Sequence, residues 1–482
     1  MMTEAYVLAL LPFLAAVGAA ATPRMAAIWG LCATLINLGA SILLAARILS
    51  GGDMRADLGD WPAPLGISLV ADGLAAVMLS MTAIVATAVA LQAMSWGLVQ
   101  PRGGQQRSRL QAGFWPLWLA TLGALNALFL SGDLFNIYVT FEILGLSAVG
   151  LTALTGSRNS LRAAFDYLAA GLAGSLVFLL GVALAYAAVG RVDLAAVPAL
   201  VDTATGRLAL GLIFAGLAVK AALFPLHFWM PAAHSSAAPA ASAVLSALVV
   251  KGALYLALRI TIEAGAGIEV LRIALAVLGA AGMLWGSWMA LRAERLKLLV
   301  AYSTVAQIGL ITLAIGVADD PSTSAMWQAA ALLMLSHALA KAAMFLAVGR
   351  IAEELGHDRI SGLNRTDLRP GVAEFAFAIA AVSLIGLPPT AGFIGKWLLI
   401  DGLIDRGAWV WIALLLGGTA LSAAYLSRVV SRCLRGGPHV APGARRPEWR
   451  TGDVAALGLA TTALALGLGS ALPLTLLNGT AL

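Results

Sequence analysis

Cysteine is almost missing from this sequence: Cys32 and Cys433 are the only two, and neither lies in a C-x-x-C pattern. Two scattered thiols cannot hold a four-cysteine iron–sulfur cluster or a zinc site. No G-x-G-x-x-G follows a strand pattern, so no dinucleotide site is readable. Charge is scarce too, at 11% of residues against about 25% in a soluble domain. Hydrophobic residues make up 61% of the 482. So few charges cannot cover a chain of this length in water, and the bilayer must be its main solvent. No metal and no cofactor is implied, and any chemistry rests on ordinary ionisable side chains.

Apolar runs long enough to span a core of about 30 Å fall at 5–22, 25–48, 66–96, 113–130, 133–154, 163–190, 208–228, 237–261, 268–291, 297–317, 325–349, 372–404, 409–432 and 454–477. The first lacks a basic leader and carries Glu4 ahead of its apolar stretch, so it reads as a membrane helix and not as a cleaved signal. The expectation is an all-α polytopic membrane protein of about fourteen transmembrane helices. If the N-terminus is outside, nineteen basic residues fall in inside loops and seven (Arg47, Arg55, Arg191, Arg207, Arg259, Arg272 and Arg406) in outside loops. That is the asymmetry of the positive-inside rule. It accounts for the net charge of +6 through topology, without nucleic acid. The setting implied is a bacterial-type inner (plasma) membrane, crossed many times.

The chain has five lysines, and four of them, Lys220, Lys251, Lys341 and Lys396, lie inside apolar runs; Lys297 sits in a loop. Arginine does the surface work. The division has a physical reason: arginine stays charged at essentially any site, whereas a buried lysine can give up its proton. A charge at a helix centre costs roughly 2.5 kcal/mol or more, so four are a functional signal. The competing reading is that each lysine snorkels to an interface or neutralises a carboxylate. Lys220 and Lys251 stand roughly 18 Å into their runs, too deep for that. For Lys396, nearer a helix end, snorkelling is easier.

Glu142, in the middle of GDLFNIYVTFEILGLSAVGL, is the natural counter-ion for one of the lysines. Asp133 opens the same helix and suits its N-terminus. Asp72 and Glu374 read as interfacial, and Asp166 as an i,i+4 partner of Arg162. His337 and Lys341 share a helical face in SHALAKAAMFL, and a histidine there can relay a proton or simply bond a carbonyl. His227 and His234 flank Pro231 and could face incoming water. Pro225, five residues after Lys220, removes an N–H and crowds the carbonyl of Ala221. Pro388 and Pro389 do the same just before Lys396. Broken helices in two halves of a transporter mark an ion path.

These segments, together with KAALFPLHFWMPAAHSSAAPAASAVLSALVVKGALYLALR, LKLLVAYSTVAQIGLITLAIG and GLPPTAGFIGKW, resemble the antiporter-like membrane subunits of respiratory complex I. The same group takes in the D-type subunits of the Mrp cation/proton antiporters and related subunits of membrane-bound hydrogenases. The resemblance runs from about Gly132 to Lys396. It implies helices 1–3 in 1–112, inverted five-helix repeats at 113–261 and 268–432 with helices 7 and 12 broken, and a basic loop with helix 14 in 433–482. It implies that Glu142 and Lys220 are the helix-5 and helix-7 partners, Lys251 the central lysine, His337 and Lys341 a helix-11 relay, and Lys396 the helix-12 lysine. Ala232 stands where complex I and hydrogenase forms carry Asp, and His234 where the Mrp form usually has none. Lysine at 396 argues against the complex I subunit with glutamate there, and the chain ends soon after helix 14, without the long lateral helix of the largest members. DLFNIYVTFEIL favours an Mrp D-type subunit or a hydrogenase relative. The function implied is proton translocation in a multisubunit Na⁺ or K⁺:proton antiporter, with other membrane subunits as partners. The alternative implied is a proton-pumping arm of a redox-driven complex.

Overall fold

The computed structural model describes residues 2–61, 66–98, 104–318, 326–363, 370–434 and 449–478. Two helices, α1 (Thr3–Ala21) and α2 (Ala26–Gly51), lead into an antiparallel hairpin, β1 (Met54–Asp57) and β2 (Ser68–Ala71), with Met54 opposite Ala71. The long helices α3 (Gly73–Leu98), α4 (Gly104–Leu130), α5 (Leu134–Ala153) and α6 (Arg158–Val189) follow. Next come the short α7 (Val197–Val201), then α8 (Ala204–Lys220), α9 (Met230–Ser236) and α10 (Pro239–Val244). A π-helical turn, Leu245–Val249, joins α10 to α11 (Val250–Ala264). The chain continues with α12 (Glu269–Arg292), α13 (Leu296–Val317), α14 (Met326–Leu355), α15 (Val372–Ile385), α16 (Ala391–Asp405), α17 (Trp409–Leu434), α18 (Thr451–Leu468) and α19 (Ala471–Asn478).

Among the described residues, eleven helical stretches are long and apolar enough to cross a membrane, with Pro239–Arg292 taken as one stretch of 54 residues. Helix is what such a solvent demands, because hydrocarbon offers no partner to a bare N–H or C=O. The polar residues between runs start the helices. Asp133, Ser157, Thr203 and Thr390 each accept from a backbone N–H three residues on, at 2.7–3.3 Å. The run at 66–96 departs from the expectation of one helix: its first residues pair with Met54–Asp57 as a strand, and Asp72 ends that strand before α3 begins.

Helix α14 lies at the centre, buried on all sides and packed against α3, α10, α13, α15, α16 and α18. Helices α1, α2 and α17 are at the rim and turn Leu14, Val17, Ile42, Val410 and Leu416 outward. Small residues bring backbones together where hydrophobicity cannot. A Cβ on Gly279, Gly286, Gly309 or Gly316 would run into a backbone nitrogen across the α12–α13 crossing. Asn126 of α4 donates to Leu8 O at 2.9 Å and to Asn37 Oδ1 at 2.6 Å, tying three N-terminal helices at one point.

Two interruptions fall at the prolines. Helix α8 stops at Lys220, and a stretch with Ala222 at φ 54° and a cis Phe224–Pro225 bond precedes α9. Helix α15 stops at Ile385, Gly386 takes φ 81°, and α16 resumes after the cis Pro388–Pro389 bond. Gly467 of α18 lies against this second break, where a Cβ would overlap the carbonyl of Pro389. That neighbour is backbone and cannot step aside. Gly467→Ala is expected to cost about 1–3 kcal/mol, the usual range for overpacking, read as a lower melting temperature of the purified protein.

Candidate functional site

In chain order the ionisable groups of the apolar helices form a row, Glu142, Lys220, Lys251, His337, Lys341 and Lys396, and the two interruptions fall beside Lys220 and Lys396. Lys220 is the last residue of α8, where the helix dipole favours a cation. Its Nζ lies 3.4 Å from Glu142 Oε1 of α5 and 5.1 Å from the centroid of the Phe141 ring. Ser175 of α6 donates to the same Glu142 oxygen. The lysine side chain is 9% exposed and the glutamate 24%, so the pair has one open flank. Trp229 donates to Val219 O at 3.2 Å, a carbonyl that also accepts from Ala222 N at 3.0 Å, and stacks on Tyr167. Glu142, Ser175, Lys220, Tyr167 and Trp229 line one cavity together with Val249, two residues before Lys251.

Lys251 is fully buried in the first turn of α11, immediately after the π turn. Its Nζ donates to Ser246 O at 2.8 Å and lies 2.7 Å from His337 Nδ1 of α14. Ser246 is in the π turn, so the widened backbone supplies the carbonyl that holds the lysine. The Ser246 hydroxyl lies 2.8 Å from Thr304 Oγ1 of α13, and Thr304 donates to Val300 O at 3.1 Å. Lys341 donates to that same carbonyl at 2.9 Å and to Ser303 Oγ. Tyr425 of α17 turns its hydroxyl toward Ser303, Gln307 and Ser422. At the far end, Lys396 donates to Ile385 O at 2.7 Å and to Thr419 Oγ1 at 3.1 Å. Ile385 is the last residue of α15, so the break itself provides the acceptor.

The structure thus joins Glu142 with Lys220 and Lys251 with His337. His337 and Lys341 share a face of α14 but bond different neighbours, and Lys396 meets neither directly. Lys396 is 6% exposed and bonds inward, which removes the snorkelling alternative. His227 is half-buried in the first break and stacks on Phe224. His234 is buried beside Phe345, and neither ring nitrogen has a hydrogen-bond partner. His337 Nε2 is likewise unpartnered.

Sequence reasoning misses several members of the row. Ser175, Ser246, Ser303, Thr304 and Thr419 are hydroxyls in apolar helices, and the adjacent Ser303 and Thr304 of LKLLVAYSTVAQIG are the one visible sign. Lys297, assigned to a loop, donates to Ala237 O at 2.6 Å where α9 meets α10. Arg259 needs correction: it is not a loop residue but lies in α11, where it forms a buried bidentate ion pair with Asp72 at 2.7 and 2.8 Å. Asp133 caps α5 as expected, and Glu374 caps α15 by accepting from Gly371 N at 2.9 Å. Among the described residues, Arg162 and Asp166 do not pair. No group of three His, Cys, Asp or Glu among the described residues is arranged to hold a metal.

Fold and site together define a multi-pass membrane protein that carries four lysines, a glutamate and a histidine within its apolar helices and has two helix breaks. The chain belongs to the NADH:quinone oxidoreductase/Mrp antiporter transmembrane family, whose model matches residues 131–422. It is 37% identical over 415 residues to NADH-quinone oxidoreductase subunit N of Desulforudis audaxviator, covering 84% of this chain and 81% of that one. It is 29% identical over 432 residues to the D-type subunit of the Na(+)/H(+) antiporter of Bacillus subtilis, covering 88% and 84%. A chain of the Mrp complex from Dietzia superposes with a TM-score of 0.86 at 26% identity, over 99% of this chain and 97% of that one.

Proposed function

We propose that this chain is the proton-translocating membrane subunit of a multisubunit Na⁺ or K⁺:proton antiporter. The observation that carries the reading is that Lys251, Lys341 and Lys396 are buried and the Lys220 side chain is only 9% exposed, each against an acceptor supplied by a neighbouring helix, a helix break or a π turn. Protons come in past His227 and reach Lys220; His234, expected to face incoming water, is instead buried against α14 and is not part of the entry. They pass to Lys251, then by His337 and Lys341 to Lys396, and leave on the opposite side. While Glu142 is paired with Lys220 it holds the proton there. When the pair parts, the ammonium loses its counter-charge and the proton moves on. The driving event belongs to a partner subunit.

The topology proposed with it has fourteen crossings. Pro239–Arg292 is long enough for two, and the interrupted pairs α8–α9 and α15–α16 each make one across their breaks. The N-terminus is outside, and inverted repeats occupy 113–261 and 268–432.

A second reading, a proton-pumping arm of a redox-driven complex, is favoured by the 37% identity to a quinone oxidoreductase subunit. Mild-detergent purification of the tagged native protein, with mass spectrometry of its companions, separates the two. Small hydrophobic subunits alone support the antiporter; iron–sulfur, flavin or nickel subunits would replace it with the redox reading. Within either assembly, Ser175→Ala keeps the ion pair and removes one donor. A hydrogen bond to a charged group carries about 1.5–3 kcal/mol. A several-fold slower initial rate of driven pH change is expected, without complete loss.

A further inference from the structure

One buried charge pair has no part in the row. Lys251, Tyr255 and Arg259 follow one another at four-residue spacing along one face of α11. Tyr255 is fully buried, donates to Phe129 O at 2.7 Å and accepts from Arg259 Nε at 2.9 Å. The guanidinium lies over the Tyr255 ring, 5.1 Å from its centroid. Its two terminal nitrogens grip Asp72, which also accepts from Ala75 N at 2.8 Å at the start of α3. Glu263, one turn beyond Arg259, is half-buried and within electrostatic reach of both charges.

We propose, on the reading of Lys251 as a proton carrier, that Arg259 is the gate residue that closes the lane from Lys251 to the membrane face where α3 begins. The lane has acceptors at both ends, Lys251 on one side and Asp72 and Glu263 on the other. Between them stand two groups that do not pass a proton. The Tyr255 hydroxyl spends its proton on a backbone carbonyl. Arginine does not release its proton in a protein, and its Nε and both terminal nitrogens are committed to Tyr255 and Asp72. Packing supports the closure: Phe129 packs edge-on against the Tyr255 ring, Leu128 lies against Gly252 next to Lys251, and both are buried. Apolar side chains of similar volume would pack there at less cost than an ion pair. A donor that holds Tyr255 and Asp72 in place without releasing its own proton is what they could not supply. With the lane closed, a proton on Lys251 leaves only toward His337.

The test is passive proton conductance of the whole complex in proteoliposomes, measured with a trapped pH dye after a pH step and with no driving substrate or ion gradient. Arg259→Gln is expected to raise the leak several-fold over wild type. Arg259→Lys, which keeps the charge at rest on a group that can release its proton, is expected to leak less but measurably. Adding Lys251→Met to either variant should restore tightness. The proposal is overturned if assembled Arg259→Gln and Arg259→Lys are as tight as wild type, or if their leak survives loss of Lys251. It is also overturned if neither assembles while the neutral pair Asp72→Asn/Arg259→Gln assembles and holds the gradient, since the pair is then only a tie between α3 and α11. Driven transport by Lys251→Met alone would instead defeat the reading of Lys251 itself.

Discussion

In the assembled complex, Lys220→Ala is expected to reduce driven proton movement to the background of empty liposomes, and Glu142→Ala to do the same. The two side chains lie 3.4 Å apart on helices distant in sequence. Truncating one partner of a buried pair leaves an uncompensated charge, a change of about 3–5 kcal/mol. The open flank of Glu142 moderates that figure. Either variant leaves one ionisable group without its partner, and a site that works by pairing and parting can no longer cycle. Assembly should survive, because α8 ends at the break regardless of the residue at 220 and the contacts of α6 with α8 are apolar. The check is driven pH change alongside recovery of the complex by gel filtration. Full activity in both variants would remove the pair from the mechanism.

Lys251→Met is the second large effect. Methionine is close to lysine in length and fits the same slot, so packing is largely kept. The variant removes the donor to Ser246 O and the Nζ–His337 Nδ1 contact. Driven transport should fall to background, as for Lys220→Ala, with a modest loss of stability from the lost polar contacts, about 1–3 kcal/mol each at most. A thermal melt separates this from collapse of the fold: a shift of a few degrees with no transport is the expected pattern.

Much of this site is legible in the sequence for one reason: the chain uses arginine at its surfaces and lysine in its interior, so each Lys in an apolar run stands out. Proline marks the breaks because it cannot continue the backbone ladder. Lys220 and Lys396 are therefore both readable, and both sit where a helix ends or has just resumed. The hydroxyls that hold the lysines are not legible individually, because serine and threonine are ordinary in membrane helices and only their neighbours in space reveal a role. The π turn at Leu245–Val249 carries no breaker and reads as plain helix. The pairing of Asp72 with Arg259 spans 187 residues, and each partner sits near a helix end where an interfacial assignment is natural. The strand at Ser68–Ala71 is hidden in a continuous apolar run, since short buried strands and helix segments share that pattern.

The central claim is that protons, and not charge alone, pass through Lys251. The most direct measurement is driven proton flux of the whole complex carrying Lys251→Arg, in liposomes with a trapped pH dye. Arginine keeps the positive charge and the hydrogen-bonding capacity but does not release its proton. Flux at background, with the complex intact, is the predicted result. Wild-type flux with arginine at 251 would mean that the position needs only a fixed cation, and would contradict the account.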